Sequence, residues 1–360
     1  MKILFIAPLP PPVNGQSLQS KIFLDFLIKE NEVFVINTIK NSHKDGIDSI
    51  KRIFEIFKIL IVIFKKKKYV DVVYLQISES LAGNFRDLLI FLICWKKLQK
   101  MYIHLHGGSI KIWVYDKNEY LKSMNKFFIQ KMRGVIVLGN SHVSIFNNMI
   151  DNSKIHVINN FAEDFLFSNP EKIVKKFSKT GKIKVLFLSN MILGKGHHEL
   201  LGGYVKLSDT LKSQIQIDFA GAFSSKIEKI GFLNKLEKYE NVKYHGIVSG
   251  LEKKNLLDNA HILCFPSYLF EGQGICLIEG YAAGCVGITT GKSGISDIFI
   301  DNINGFKIEE KSEDSVKSVL EEIVLKKGDL LNIAINNFKQ AKQIYTVSNH
   351  CIKLSELLYN

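Results

Sequence analysis

Short runs of β-branched and aromatic residues recur along the chain, and longer stretches of helical periodicity separate them. This alternation constrains the fold more than any composition figure does. Parallel strands need crossover helices, and those helices cover both faces of the sheet. The runs that read as strands are Lys2–Ala7, Glu32–Asn37, Asp71–Gln76, Tyr102–His106, Gly134–Leu138 and Lys154–Ile158. A second series comprises Lys182–Ser189, Gln214–Ala220, Val242–His245, His261–Phe265 and Val286–Thr290. Between the series, Asn159–Thr180 is polar, holds Asn169-Pro170 and several lysines, and reads as a linker. The expected class is α/β, with two doubly wound sheets in tandem. Ligands of such sheets bind at the carboxyl ends of the strands.

A chain of 360 residues is long enough for two cores of this kind. Five cysteines, Cys94, Cys264, Cys276, Cys285 and Cys351, are scattered through mostly apolar runs with no Cys-x-x-Cys pair. Neither a disulfide framework nor a zinc-cysteine site is expected from them, and reduced, buried thiols are. The apolar opening Lys2–Ala7 is broken at once by Pro8, so it reads as a first strand and not as a signal peptide. No apolar run reaches the roughly 18–20 residues that cross a bilayer.

The loops at the carboxyl ends of the strands are Pro8–Gln16, His106–Ser109, Ser189–Gly196, Gly221–Phe223 and Phe265–Gly274. The richest follows the apolar run ending at Phe265. There Pro266-Ser267 is followed by Glu271, Gly272, Gln273 and Gly274, and an amphipathic helix opens at Ile275 and carries Glu279. Glycines at a helix start let backbone N–H groups approach an anion, and the helix dipole adds to the attraction. Glu271 and Glu279 flanking such amides suit a ligand with sugar, pyrophosphate and ribose in line. The competing reading makes Glu271 a helix cap and Glu279 a solvated helix residue. Two glutamates eight apart are common by chance, and their context between Pro-Ser and Ala-Ala-Gly carries the weight.

This segment resembles the Glu-x7-Glu signature of the large retaining glycosyltransferase family 4. The likeness extends through Pro8–Gly15, Val157–Asn160, Lys195-Gly196, Tyr244-His-Gly246 and Asp301–Phe306. It implies the GT-B fold, with two Rossmann-like domains facing across a cleft. An acceptor-side domain would span residues 1–165 and a donor-binding domain 166–345, with a last helix of about 346–360 packing back on the first. The closest likeness is to bacterial enzymes building O-antigen, capsule or other surface polysaccharides. These commonly extend lipid-linked saccharides on the cytoplasmic face of the membrane.

Carried onto this sequence, the resemblance makes Glu271 the ligand of the donor sugar's hydroxyls and Glu279 that of the ribose. Lys195 would neutralise the diphosphate leaving group, as a fixed cation aimed at developing charge does. Gly15, Gly272, Gln273, Gly274 and Ile275 would line the donor, and His106 would stand near the donor sugar, whereas His104 packs inside the sheet. Members of the family usually carry Arg five residues before the lysine. This chain has Asn190, which donates hydrogen bonds but neutralises no charge. Val286-Gly287, where Pro-Val is common, affects packing. No cofactor is implied, and the donor expected is a nucleotide-sugar, UDP-linked by preference. The alternatives are a nucleotide-binding or lipid-surface scaffold that has lost catalysis and a nucleotide-sugar epimerase of the same fold.

His197-His198 resembles a metal site, but adjacent helix positions face different ways. No acidic partner stands at metal spacing and there is no Asp-x-Asp, so no metal is expected there.

Charge is uneven. Residues 1–160 hold 23 Lys and Arg against 12 Asp and Glu, and the remainder 25 against 23, so nearly all of the +13 excess lies in the first part. Residues 51–68 read as a very apolar helix ending in four lysines, and residues 86–100 repeat the pattern with Lys96, Lys97 and Lys100. Cations at helix carboxyl ends are favourable in themselves, and apolar faces also cover a sheet. The excess also suits an anionic membrane surface, and together with the resemblance it leads to the expectation of a cytoplasmic protein, peripheral on the membrane's inner face. Nucleic acid is not expected, since no helix-turn-helix, zinc finger or aromatic-lined basic groove is present.

Overall fold

After its first residue, Lys2–Ala7 contains only apolar side chains, and it forms β1, buried along its length. In the computed structural model of the protein, residues 1–11, 14–39, 49–179, 181–326 and 328–359 are described. The chain divides into two units, Met1–Asn159 with Ser348–Asn360 and the intervening Asn160–Val347.

In the first unit β1 is followed by α1 (Gly15–Leu27), β2 (Glu32–Asn37), α2 (Ser49–Lys66), β3 (Val72–Gln76) and α3 (Leu81–Ile93). Then come β4 (Met101–Leu105), α4 (Glu119–Ile129), β5 (Gly134–Val137) and β6 (Ile155–Val157). The six strands pair in parallel in the order β2-β1-β3-β4-β5-β6. Because helices cover both faces, β3 and β4 are buried at every residue, which is why their sequences show no polar alternation.

The second unit opens with α5 (Pro170–Ser178), β7 (Ile183–Leu188), α6 (His197–Val205) and α7 (Asp209–Gln214). It continues through β8 (Ile215–Ala220), α8 (Lys226–Leu236), β9 (Val242–Tyr244), α9 (Gly250–Asn259) and β10 (Ile262–Phe265). It closes with α10 (Ile275–Ala282), β11 (Val286–Thr289), β12 (Gly305–Lys307), α11 (Glu313–Leu325) and α12 (Leu330–Ile344). Its sheet is also parallel throughout, in the order β12-β11-β10-β7-β8-β9. The final helix, α13 (Val347–Tyr359), returns the chain to the first unit, where Asn31 donates to the Tyr359 hydroxyl at 2.8 Å.

Two elements differ from the sequence reading. Within the polar stretch read as a linker, Asn169-Pro170 starts a helix. The Asn169 side chain accepts from Lys172 N at 2.8 Å, and proline occupies the first turn, where no N–H is needed. The Asp301–Phe306 turn leads directly into the short edge strand β12. The turn is pinned by Asn304, which donates to Asn337 Oδ1 at 2.8 Å, while Asn337 donates to the carbonyls of Cys285 and Asn304, both at 2.9 Å. All five cysteines are free and buried.

The first unit carries a polar network through its core. Gln16 and Ser20 of α1 donate to Gln76 Oε1 at 3.3 and 2.9 Å, and Gln76 donates to the Tyr74 hydroxyl at 3.3 Å. With its oxygen accepting there, the tyrosine's proton is assigned to His104 Nδ1, 2.6 Å away. The rings of His104 and His106 lie 4.0 Å apart. His350, on α13, bonds the Asn159 carbonyl through Nδ1 at 2.7 Å. Burial, and then the neighbouring histidines, hold His104 far below its ordinary value and His106 at about 3. Burial brings His350 down to about 4.

These three histidines are neutral when folded but titrate near 6.5 when unfolded, so the unfolded chain takes up protons that the folded one refuses. Their contribution is present above pH 6.5 and is lost as pH falls towards about 4, at up to about 1.4 kcal/mol per pH unit for each group. Trp95 and Trp113, the only tryptophans, both lie in the first unit. Tryptophan-detected unfolding should therefore show a midpoint that drops between pH 7 and 5, and His106→Phe should flatten that dependence.

Candidate active site

The site in the second unit begins with two loops that cannot separate. At Gly196, in the left-handed region at φ +93°, an added Cβ would stand 2.4 Å from the Pro266 ring and 2.5 Å from its carbonyl oxygen. At Gly194, φ +98°, it would strike Leu269 at 2.5 Å. The Gly194 carbonyl accepts from Tyr268 N at 2.9 Å. The loop after β7 is therefore zipped to the loop after β10, and only glycine permits that approach.

The zip brings together side chains 76 positions apart. Lys195 Nζ donates to both oxygens of Glu271, at 2.6 and 2.8 Å, and Ser267 Oγ donates to Glu271 Oε1 at 2.5 Å. Both partners of the pair are largely but not fully covered, at 19% and 12% side-chain exposure. Lys195 also lies 5.4 Å from the Phe265 ring centre. From the next loop Ser293 Oγ and Gly294 N donate to the Glu271 carbonyl, each at 3.2 Å. An ammonium held this way is poised for an anion, with its charge satisfied meanwhile by a carboxylate.

Beyond Glu271 the chain passes through Gly272 and Gln273 to Gly274, which takes φ +59° as the N-cap of α10, with Ile275 its first residue. The first-turn amides have no side-chain cap. Gln273 is buried, and its Oε1 accepts from Asn160 N at 2.7 Å, so its side chain supports the loop. Glu279, one turn on, is also buried and forms a short ion pair through Oε1 with Lys253 of α9. Burial raises its carboxyl above the usual range, and the Lys253 charge opposes that. Glu163 is raised by burial as well, with Lys253 lowering and Glu279 raising it. The solvated-helix reading of Glu279 is thus overturned by its burial and its partner.

Lys253 was not singled out from the sequence. Nothing marks it there, since it is one of two consecutive lysines on an otherwise ordinary helix. Asn190 is exposed at the end of β7, and its carbonyl accepts from Ile192 N at 2.9 Å. Lys292, a further cation of the site loops, pairs with Glu310 at 2.6 Å and lies over the Phe270 ring.

Gly15 and His106 belong to the first unit. Gly15 is exposed at the start of α1, behind an Asn14–Ser17 capping box; residues 12–13 of its proline-rich loop lie outside the described residues. Neither ring nitrogen of His106 has a hydrogen-bond partner among the described residues, and both are buried. Such a ring, held neutral, is suited to contact and not to proton transfer at neutral pH. The carboxylate of Glu79 fills the space beside Gly107, 2.2 Å from where a Cβ would stand, and accepts from Ser109 N at 2.6 Å.

His197 and His198 depart from expectation. Their rings lie 4.2 Å apart, tilted by 36°, and both pack on Phe232. They are the first two residues of α6, and both rings meet the same Phe232 of α8. An acidic partner is present, as Glu228 of α8 brings a carboxylate oxygen into the same group.

Residues 168–341 match the family model described as Glycosyl transferases group 1. Two uncharacterized glycosyltransferases of Methanocaldococcus jannaschii are similar to the chain. One is 25% identical over 211 residues, covering 57% of this chain and 53% of its own length. The other is 23% identical over 229 residues, covering 61% and 58%. The chain thus spans little more than half the length of the curated relatives it matches. Among solved structures, HepE of Anabaena in complex with UDP superposes with a TM-score of 0.76 at 15% identity over 100% of both chains. Its complex with UDP-glucose gives 0.75 at 15% identity, covering 100% of this chain and 99% of that one. A glycosyltransferase from Rickettsia africae gives 0.75 at 20% identity, covering 99% and 97%. These identities speak to fold, and the fold is of the GT-B class, two parallel six-stranded α/β sheets. Most of the second unit, residues 168–341, is accordingly matched by the group 1 glycosyltransferase model, on a fold of the GT-B class.

Proposed function

We propose that the chain is a retaining, metal-independent glycosyltransferase that uses a nucleotide-sugar, UDP-linked by preference, and extends a lipid-linked saccharide in surface-polysaccharide synthesis. The observation that carries this reading is the pairing of Lys195 with Glu271 between loops locked together by Gly194 and Gly196. The presence of UDP and UDP-glucose in the HepE structures supports a uridine donor.

In this reading the diphosphate of the donor takes the place of Glu271 at Lys195. The exchange satisfies the ammonium with phosphate oxygens and frees the Glu271 carboxylate to accept from the sugar hydroxyls. The uncapped amides at Gly274 and Ile275 donate to the same phosphates, aided by the dipole of α10. Lys195 and these amides then carry the charge that the arginine absent at Asn190 would have shared. Glu279, its Oε1 held by Lys253, offers Oε2 to the ribose diol, and no hydrogen bond is made at Oε2 among the described residues.

The acceptor hydroxyl attacks the anomeric carbon on the face from which the phosphate departs. The new C–O bond forms as the old one breaks, and the hydroxyl proton passes to the leaving phosphate oxygen. The product keeps the anomeric configuration. No side chain acts as nucleophile, and the work of the protein is electrostatic and positional.

The membrane half of the proposal rests on α2 and α3. Phe54, Phe57, Ile61 and Phe64 form an exposed stripe on α2. Leu81, Phe85, Leu89 and Leu92 form another on α3, which packs beside it. Lysines 65–68, 96, 97 and 100 lie at the ends of these helices, although Lys67 and Lys97 are partly spent on the carbonyls of Ile93 and Val70. The side chains of Lys51 and Arg52 lie outside the described residues. No helix among the described residues is long and apolar enough to cross a membrane. A surface of this kind docks by burying aromatic tips while its lysines attract anionic headgroups.

Lys195→Ala and Glu271→Gln should each lower kcat/KM for transfer by at least about 100-fold, the usual cost of losing a charge-stabilising group. Circular dichroism should remain that of the parent. Glu279→Gln should weaken UDP binding in calorimetry. Transfer at parental rate by the Lys195 variant, or donor isomerisation without an acceptor product, would overturn the assignment. In flotation assays the parent should bind vesicles rich in anionic lipid and be released by salt, and Phe54→Ser with Phe57→Ser should abolish binding. Equal binding to neutral vesicles, insensitive to salt, is the contrary result.

A further inference from the structure

Two positions after Lys195 in sequence, but with its side chain among other partners, stands His197. It is completely buried at the start of α6 and packed edge-on against Phe187, Phe223 and Phe232. Neither of its ring nitrogens has a hydrogen-bond partner among the described residues. Glu228 Oε1 lies 3.6 Å from Nε2, beyond hydrogen-bond reach. A buried polar group left in this state is costly, and a phenylalanine would fill the same aromatic pocket without that cost. The imidazole therefore calls for a ligand.

We propose that His197, His198 and Glu228 form a binding site for a divalent transition-metal ion of the zinc class. Each contributes one ligand atom, and the three atoms lie within 4.8 Å of one another. A four-coordinate ion about 2.0–2.2 Å from each donor draws them slightly closer. His198 and Glu228 are only half-buried and can rotate to meet it, whereas His197 is fixed by its aromatic neighbours. Two imidazoles and a carboxylate leave a fourth position for water. That donor set selects zinc, cobalt, nickel or copper over magnesium and calcium, which want oxygen throughout.

Two features around the site fit such an ion. Glu199, Glu228 and Glu313 lie near His198, with Lys235 opposing them and Lys206 paired with Glu313 at 3.3 Å. Ser224 Oγ donates to Glu228 Oε2 at 2.5 Å, leaving Oε1 turned towards His197 and fixing the carboxylate as an outer partner does. The ion would join the first turns of α6 and α8. No step of the sugar transfer passes through it, and the proposal stands whether or not the chain transfers sugar.

The test uses the full chain, stripped with a chelator and titrated with cobalt(II) at neutral pH. One equivalent should bind and give visible d–d absorption without the near-ultraviolet thiolate band that cysteine ligation would add. Zinc should displace the cobalt and raise the thermal midpoint. His198→Gln and Glu228→Gln, at part-exposed positions that leave the fold intact, should each weaken cobalt binding by at least roughly tenfold and remove the zinc-induced stabilisation. Failure to bind one equivalent, a thiolate band, or equal binding by both variants would overturn the site and leave His197 as an aromatic packing element.

Discussion

The approach of two backbones, at Gly194–Gly196 and Pro266–Leu269, is the constraint on which the rest of the second unit's chemistry depends. Side chains at either glycine would collide with the opposing loop at 2.4 to 2.5 Å, so the sheet edge would have to open. Lys195 lies between these two glycines and is carried against Glu271 by them. A flexible lysine on a free loop would spend its conformational freedom to reach the same place. Here the backbone has already restricted it, and the hydrogen bonds to Glu271 cost correspondingly little.

Buried charge in this unit follows one rule with two outcomes. Lys195 and Glu271 keep some exposure, so their pairing can be exchanged for a ligand's groups. Glu279 and Lys253 are more deeply placed, with Glu279 at 4% side-chain exposure, and an unpaired carboxylate there would be costly. The first pair is suited to being broken in each cycle and the second to remaining intact. His197 is different in kind, a buried imidazole with no hydrogen bond among the described residues.

The strands were legible in the sequence because parallel strands covered on both faces are written as continuous apolar runs. Every run read as a strand is one, with ends differing by a single residue at most. Strand β12 escaped because three residues, one of them Gly305 with φ +149°, carry no period and follow a turn that claims attention first. Helix α5 escaped because Asn-Pro was read as a break, although the same pair caps and starts a helix. Within the site, the loop positions of Lys195 and Glu271 could be read from strand-glycine-helix context, but not their contact. Lys253 and Glu228 were invisible for a different reason. Each matters through a partner tens of residues away, and no local pattern records such a distance. The convergence of His197 and His198 depends on Phe232 and Glu228 of α8, which lie some thirty residues on, beyond any local pattern.

The return of α13 to the first unit has a bearing on how the chain matures during synthesis. His350, Cys351, Leu354 and Leu358 are buried there, although they follow the whole of the second unit. The second unit is contiguous and holds all its own strands, so it can fold as soon as it leaves the ribosome. The first unit emerges earlier yet must wait for its closing helix, with the surface that α13 covers open to solvent in the interval. The order of emergence and the order of completion are therefore reversed. The half bearing the exposed aromatic stripes of α2 and α3 is the last to be finished.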